Sequence, residues 1–236
     1  MKYLDCFIVL SFSKIIESKY PKICCPNIKT LNMTDTRQHW ENVFSTKAEN
    51  EVSWFQPYPK TSVEFLELFN LPLDAHIIDI GGGDSYLVDV MLEKGYQNIY
   101  VLDISAMALE RAKLRLGEKA NRVNWIVSDV IDFVPPVKFD FWHDRAAFHF
   151  LTTDARINKY VSIAERGISA DGYLVLGTFS ESGPTKCSGL EIKQYSEASM
   201  SVRFERSFER IKCIEETHET PFDTTQNFIF CSFRKN

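Results

Sequence analysis

The chain has 236 residues, 44% of them hydrophobic and 25% charged, which is enough for one sizeable core and unlike a disordered chain. A net charge of −5 offers no basic footprint, so nucleic acid is not expected as a partner and small molecules or proteins are. The six cysteines form no CxxC pair and lack the density of a secreted disulfide scaffold, so reduced thiols in a cytoplasmic protein are expected.

Residues 1–32 read differently from the rest. The stretch YLDCFIVLSF is apolar but too short to span a bilayer and contains Asp5, so no stable membrane insertion is expected. Pro21 and Pro26 break any element that continues from it, and 1–32 is read as an extension that folding does not require. Residues 33–236 form the expected domain. Within it, 36–60 gathers Trp40, Phe44, Trp54, Phe55 and Tyr58, aromatic surface suited to a lid.

An alternation follows. HIIDI is a buried strand, SYLVDVMLEKG a helix stopped at Gly95, and NIYVLDI a second strand. Ser105 then caps a helix with Leu109, Ala112 and Leu116 on one face. VNWIVSD and FDFWHD are the third and fourth strands, a helix spans Asp154 to Gly167, and GYLVLGTFS is the fifth strand. Helices of this length between strands require right-handed crossovers, so the fold class is α/β, a doubly wound and mainly parallel sheet. RIKCIEETHETP and TQNFIFCSFRK have no helix between them and are expected to pair as an antiparallel hairpin at the sheet edge.

The first strand runs into three glycines, Gly81, Gly82 and Gly83. Glycine there permits positive φ and lets a ligand approach the backbone at the carboxyl ends of the strands. Asp103 closes the second strand, where a carboxylate can accept both hydroxyls of a ribose. A dinucleotide fingerprint would place glycine where Tyr86 stands, and no GKS or GKT phosphate loop occurs. A nucleoside cofactor without a pyrophosphate fits better.

The run Asp79 to Ser85 resembles the D/E-x-G-x-G-x-G signature of class I S-adenosylmethionine-dependent methyltransferases, with Ser85 in place of the last glycine. The resemblance implies S-adenosylmethionine as cofactor and S-adenosylhomocysteine as product. It implies a cofactor site of Asp79, Gly81, Gly82 and Gly83, with Asp103 and Ile104 at the ribose and Asp129 and Val130 at the adenine. Asp144 is expected to reach the cofactor's amino group, or else to pair with Arg145 or cap the next helix. The segment FDFWHDRAAFHFL is similar to the family's stretch near the transferred methyl. The terminal hairpin matches its seven-stranded sheet with one reversed strand, and residues 39–62 look like the N-terminal cap of stand-alone bacterial members.

Methyl transfer from a sulfonium asks mainly for alignment, exclusion of water and removal of a proton where the acceptor carries one. Trp54, Phe55, Tyr58 and Trp142 are candidate aromatic neighbours of the positive sulfur, and His143 is the candidate base. Residues 180–196 form a polar loop at the substrate edge, with Tyr195 a candidate for lining the pocket and Cys187 read as packed. The histidines lack zinc-ligand spacing, so no metal is expected. The expected acceptor is a small molecule. Protein lysine is the enzymatic alternative, and a regulatory or partner subunit that binds cofactor without methylating is the other.

Overall fold

The computed structural model describes residues 33–236, and its sheet is built around His76–Ile80 (β1), which is buried from Ile77 onward. The other principal strands are Asn98–Asp103 (β2), Val123–Val127 (β3), Phe139–Arg145 (β4) and Ile168–Phe179 (β5). Lys186–Cys187 (β6) and Leu190–Glu191 (β7) form a separate small ribbon, and Phe208–Glu219 (β8) and Thr225–Lys235 (β9) form the terminal hairpin. The helices are Met33–Thr46 (α1), Lys60–Leu68 (α2), Leu87–Glu93 (α3), Ala106–Leu116 (α4), Asp154–Gly167 (α5) and Glu197–Phe204 (α6).

Strand order is β3-β2-β1-β4-β5-β9-β8, with β1 to β5 parallel and β9 antiparallel to both β5 and β8. The sheet therefore has the α/β, seven-stranded, mainly parallel architecture with a reversed C-terminal strand that the sequence implied. The reversed strand, β9, lies inside the sheet and β8 forms the edge. The order reverses between β1 and β4, which opens a crevice beyond their carboxyl ends. β5 starts at Ile168, earlier than the apolar run suggested, and meets β4 through a register irregularity between Phe139 and Phe141.

Alternation along the strands sorts side chains into two layers. Ile78, Trp142, Leu174 and Leu176 join Tyr160 of α5 and Phe204 of α6 in one cluster. Ile77, Phe141 and Val175 join Phe65 of α2, Met91 of α3 and Leu109 of α4 in the other. Trp142 falls in the first layer and is fully buried there, so it is a core residue and not the sulfonium neighbour expected from sequence. Its indole N–H donates to the Tyr160 hydroxyl at 3.0 Å, and that hydroxyl donates to Asp144 at 2.8 Å.

Cys213 and Cys231, opposite one another on β8 and β9, are joined by a disulfide, which departs from the reduced thiols expected from composition. Cys187 is a free, buried thiol, as its packed reading anticipated. No helix among the described residues is long and apolar enough to cross a membrane. The expectations for 1–32 lie outside the described residues.

Tyr160→Phe removes the acceptor of a buried indole N–H and one donor to a buried carboxylate. It should reduce the free energy of unfolding by about 1–3 kcal/mol. Urea denaturation measures this; an unchanged midpoint would mean that the hydroxyl contributes nothing net.

Candidate active site

At the end of β1 the chain turns through Gly81, with φ +65°, and Gly83, with φ +47°. A Cβ on Gly81 would lie 2.6 Å from the Ala147 methyl, and one on Gly83 would lie 3.1 Å from Oδ2 of Asp103. The N–H groups of Gly81 and Gly82 both donate to the Leu102 carbonyl, fixing the turn against the end of β2. The turn is thus a backbone cradle facing a carboxylate.

Asp103 is only 6% exposed, and its Oδ1 accepts the Ser105 N–H at 2.8 Å. Burial raises its pKa to about 7, with that hydrogen bond pulling the other way. Asp129 follows β3, caps the short 3-10 turn Val130–Asp132 through the Ile131 N–H, and pairs with Arg156 of α5 at 3.1 Å.

Two adjoining pockets lie over these strand ends. The larger is lined by Gly81, Asp103, Ile104, Asp129, Val130 and Trp54, all anticipated from sequence. The smaller takes in Asp79, Gly82, Gly83, Phe55 and His143, with Phe44, Trp54, Gly81 and Arg145 shared between the two. The cofactor residues read from the resemblance therefore come together, except Asp144.

Asp144 is fully buried on the other face of β4. Its carboxylate accepts the Ala147 and Phe148 N–H groups at 3.0 Å and the Tyr160 hydroxyl, so it shapes the turn after β4 and lines neither pocket. Tyr58 is 54% exposed and lines neither pocket. Tyr195 lines neither pocket as well: its N–H donates to the Phe179 carbonyl and its ring packs in the core 5.2 Å from Phe148.

His143 is 3% exposed. One ring nitrogen meets Asp79 at 2.7 Å and the other meets Ser62 of α2 at 2.9 Å, so both are engaged within the protein. Asp79 and His143 are register partners on β1 and β4 and share a face, which brings them to α2. That geometry suits a residue that holds the floor of the smaller pocket and does not favour one that takes a proton from an acceptor.

The segment expected from sequence to be a lid is anchored by charge as well as by aromatic packing. Trp40 of α1 meets Trp54 and Phe150 edge to face at 5.8 and 5.1 Å, and Phe44 also lines the larger pocket. Glu41 reaches the N-terminus of α4, where its carboxylate accepts the Ser105 hydroxyl and the Ala106 and Met107 N–H groups at 2.8–3.1 Å. These are donors that a helix start leaves unsatisfied. Sequence reading did not anticipate Glu41, nor Arg145, Phe179, Cys187 and Phe228 as lining residues. The last three come from β5, β6 and β9, and only the position of Arg145 just after FDFWHD hinted at the pocket. Among the described residues no group of three potential metal ligands occurs.

A family profile described as a methyltransferase domain matches residues 78–174, the span from β1 into β5. The chain is 26% identical over 162 residues to the EEF1A lysine methyltransferase 2 of Mus musculus, covering 60% of this chain and 64% of that one. It is 30% identical over 106 residues to malonyl-[acyl-carrier protein] O-methyltransferase 1 of Ilyobacter polytropus, covering 44% of this chain and 38% of that one. The chain thus spans less than two thirds of the length of either relative. The N-methyltransferase NodS from Bradyrhizobium japonicum in complex with S-adenosylhomocysteine superposes with a TM-score of 0.66 at 14% identity, covering 85% of this chain and 98% of that one, a likeness of fold.

Glu41→Ala leaves the α4 N-terminus without its acceptor from α1. It should cost about 1 kcal/mol of stability, as loss of a helix cap does, and speed amide exchange in α1 more than in the sheet. Uniform exchange across the domain would mean that Glu41 does not hold the lid.

Proposed function

We propose that the chain is a class I S-adenosylmethionine-dependent methyltransferase that transfers a methyl group from S-adenosylmethionine to a small-molecule acceptor, a reading supported by the methyltransferase-domain match over residues 78–174 and by the methyltransferase relatives. When bound, S-adenosylmethionine supplies a methyl group on a positively charged sulfur, already activated for attack. The chain's own residues hold and shield it. Asp103 suits the ribose hydroxyls, because its Oδ2 faces the space that the missing Cβ of Gly83 leaves open. Ile104 and Val130, with Asp129 beside them, supply an apolar slot and a polar edge for the adenine. Trp54, shared by both pockets, and Trp40 and Phe44 of α1 exclude water from the larger one. His143 is assigned to positioning Asp79 and Ser62.

The observation that carries the small-molecule reading is the charge lining of the larger pocket. Its carboxylates are Asp103 and Asp129, the latter paired with Arg156, and the remaining charge is the cation Arg145. A lysine ammonium entering beside Arg145 would meet its repulsion, and the carboxylates whose charge reaches Arg145 are already engaged, Glu216 by Gln56 and Asp79 by His143. The lysine reading draws support from the mouse relative and is kept as the alternative. Incubating the protein with methyl-labelled cofactor and a cell extract, then separating protein from small molecules, tests the choice. Label in the small-molecule fraction is expected; label confined to protein would favour lysine, and label in neither would favour a subunit that only binds cofactor.

Asp103 also makes cofactor binding pH-dependent. With its pKa raised to about 7, the ligand-free protein holds this proton below neutrality, whereas ribose hydroxyls donate to the ionised form. Binding of S-adenosylhomocysteine at pH 6 should therefore release a proton, and binding at pH 8 should not. Calorimetry in buffers of different ionisation enthalpy reads the release. Asp103→Asn should abolish it, and Asp103→Ala should weaken binding by roughly 1–3 kcal/mol. Equal proton release by wild type and Asp103→Asn would remove Asp103 from the ribose site.

A further inference from the structure

Arg145 ends β4 with its guanidinium at the junction of the two pockets. Its Nη1 donates to the Trp54 carbonyl at 3.1 Å. Nε and Nη2 are buried and have no hydrogen-bond partner among the described residues. These two nitrogens share one edge of the guanidinium, and their parallel N–H groups form the fork that matches the two oxygens of a carboxylate. The carboxylates of Glu216 and Asp79 favour the charged form of Arg145, Glu216 the more strongly, but neither bonds this edge, and a buried donor pair left without a hydrogen bond is costly unless an anion fills it.

The surroundings describe the rest of that anion. The guanidinium lies 4.8 Å over the ring of Phe228, and Trp54 and Phe179 line the same cavity, so the wall is aromatic. His149 is fully buried and lines neither pocket; the Phe179 N–H donates to its Nδ1, and burial followed by the charge of Arg145 lowers its pKa to about 3, so the ring adds no positive charge beside the cavity. The contact with Phe228 also sets Arg145 toward β9. Asp103 and Asp129 lie at the ends of β2 and β3, across β1 in the other half of the sheet.

We propose that the free Nε and Nη2 edge of Arg145 receives the carboxylate of the acceptor, so that the substrate class is a small aromatic or apolar acid. This rests on the methyltransferase reading above and deepens it. Arg145 is then a specificity-determining residue: it admits an anion, rejects a cation, and leaves the apolar part of the acceptor against Phe179 and Phe228.

The test titrates benzoate, phenylacetate, benzamide and benzylamine into the wild-type protein, with and without saturating S-adenosylhomocysteine. The two acids should bind at least about tenfold more tightly than the amide, and the amine should not bind detectably. Arg145→Gln should reduce the preference for acids to less than about twofold while leaving S-adenosylhomocysteine affinity within about twofold. Arg145→Lys, which keeps the charge and loses the fork, should recover only part of the preference. Benzoate binding no tighter than benzamide to wild type would overturn the proposal, and that comparison stands even if the variants misfold. Loss of S-adenosylhomocysteine binding in Arg145→Gln with the acid preference intact would also overturn it, by giving the fork to the cofactor's own carboxylate. If wild type fails to bind S-adenosylhomocysteine, the methyltransferase reading falls, while the titration without it still judges Arg145.

Discussion

The parallel register of β1 between β2 and β4 is the constraint from which the site follows. With Asp79 opposite His143 and Ile80 opposite Asp144, a two-residue period leaves no freedom over which side chain meets which helix. Asp79 and His143 turn together toward α2 and find Ser62, while Trp142 and Asp144 turn toward α5 and find Tyr160. A one-residue slip would exchange the two sets. It would drive a carboxylate and an imidazole into the layer that now holds Trp142, and a bulky indole into the floor of the smaller pocket.

The same register brings the glycine turn over the end of β2, where Asp103 sits with little solvent. Burial makes this carboxylate costly to ionise in the ligand-free protein, and hydroxyl donors would offset that cost. Arg145 is in the complementary position. Burial lowers its pKa to about 10, so it stays protonated at neutral pH while two of its three nitrogens, Nε and Nη2, lack hydrogen-bond partners. The two halves of the sheet thus carry opposite unmet demands around one cavity: hydroxyl donors on the β2 side, a carboxylate on the β9 side. Both demands are stronger where the local dielectric is low.

The segment of α1 is tied to the end of β2 through one carboxylate. Glu41 bonds the start of α4, whose N-cap residue Ser105 also donates its N–H to Asp103. The position of α1 and the setting of Asp103 are therefore joined through a single helix start. Trp40, packed against Trp54 and Phe150, carries the same link across to the other side of the cavity.

Much of this was legible in the sequence, for reasons that are local. Apolar runs of strand length bounded by helices define a parallel sheet, because backbone hydrogen bonding and handedness allow few alternatives. Glycines at the end of β1 with Asp103 at the end of β2 mark one wall of the pocket, because those positions lie at the strand ends in any such sheet. The roles within β4 were not legible: FDFWHDR places Trp142, His143, Asp144 and Arg145 consecutively, and only the helices packed on each face separate a core indole, a locked imidazole, a turn-shaping carboxylate and a free guanidinium. Nor could the sequence show that Cys187, Phe179 and Phe228, distant from one another along the chain, would line the cavity with Arg145. By itself the sequence determined the fold, the glycine turn and the acidic strand end, since these depend on periodicity and backbone sterics; the tertiary structure alone decided which side chains share a cavity and which of them keep a hydrogen bond to give, since that depends on contacts between segments far apart in sequence.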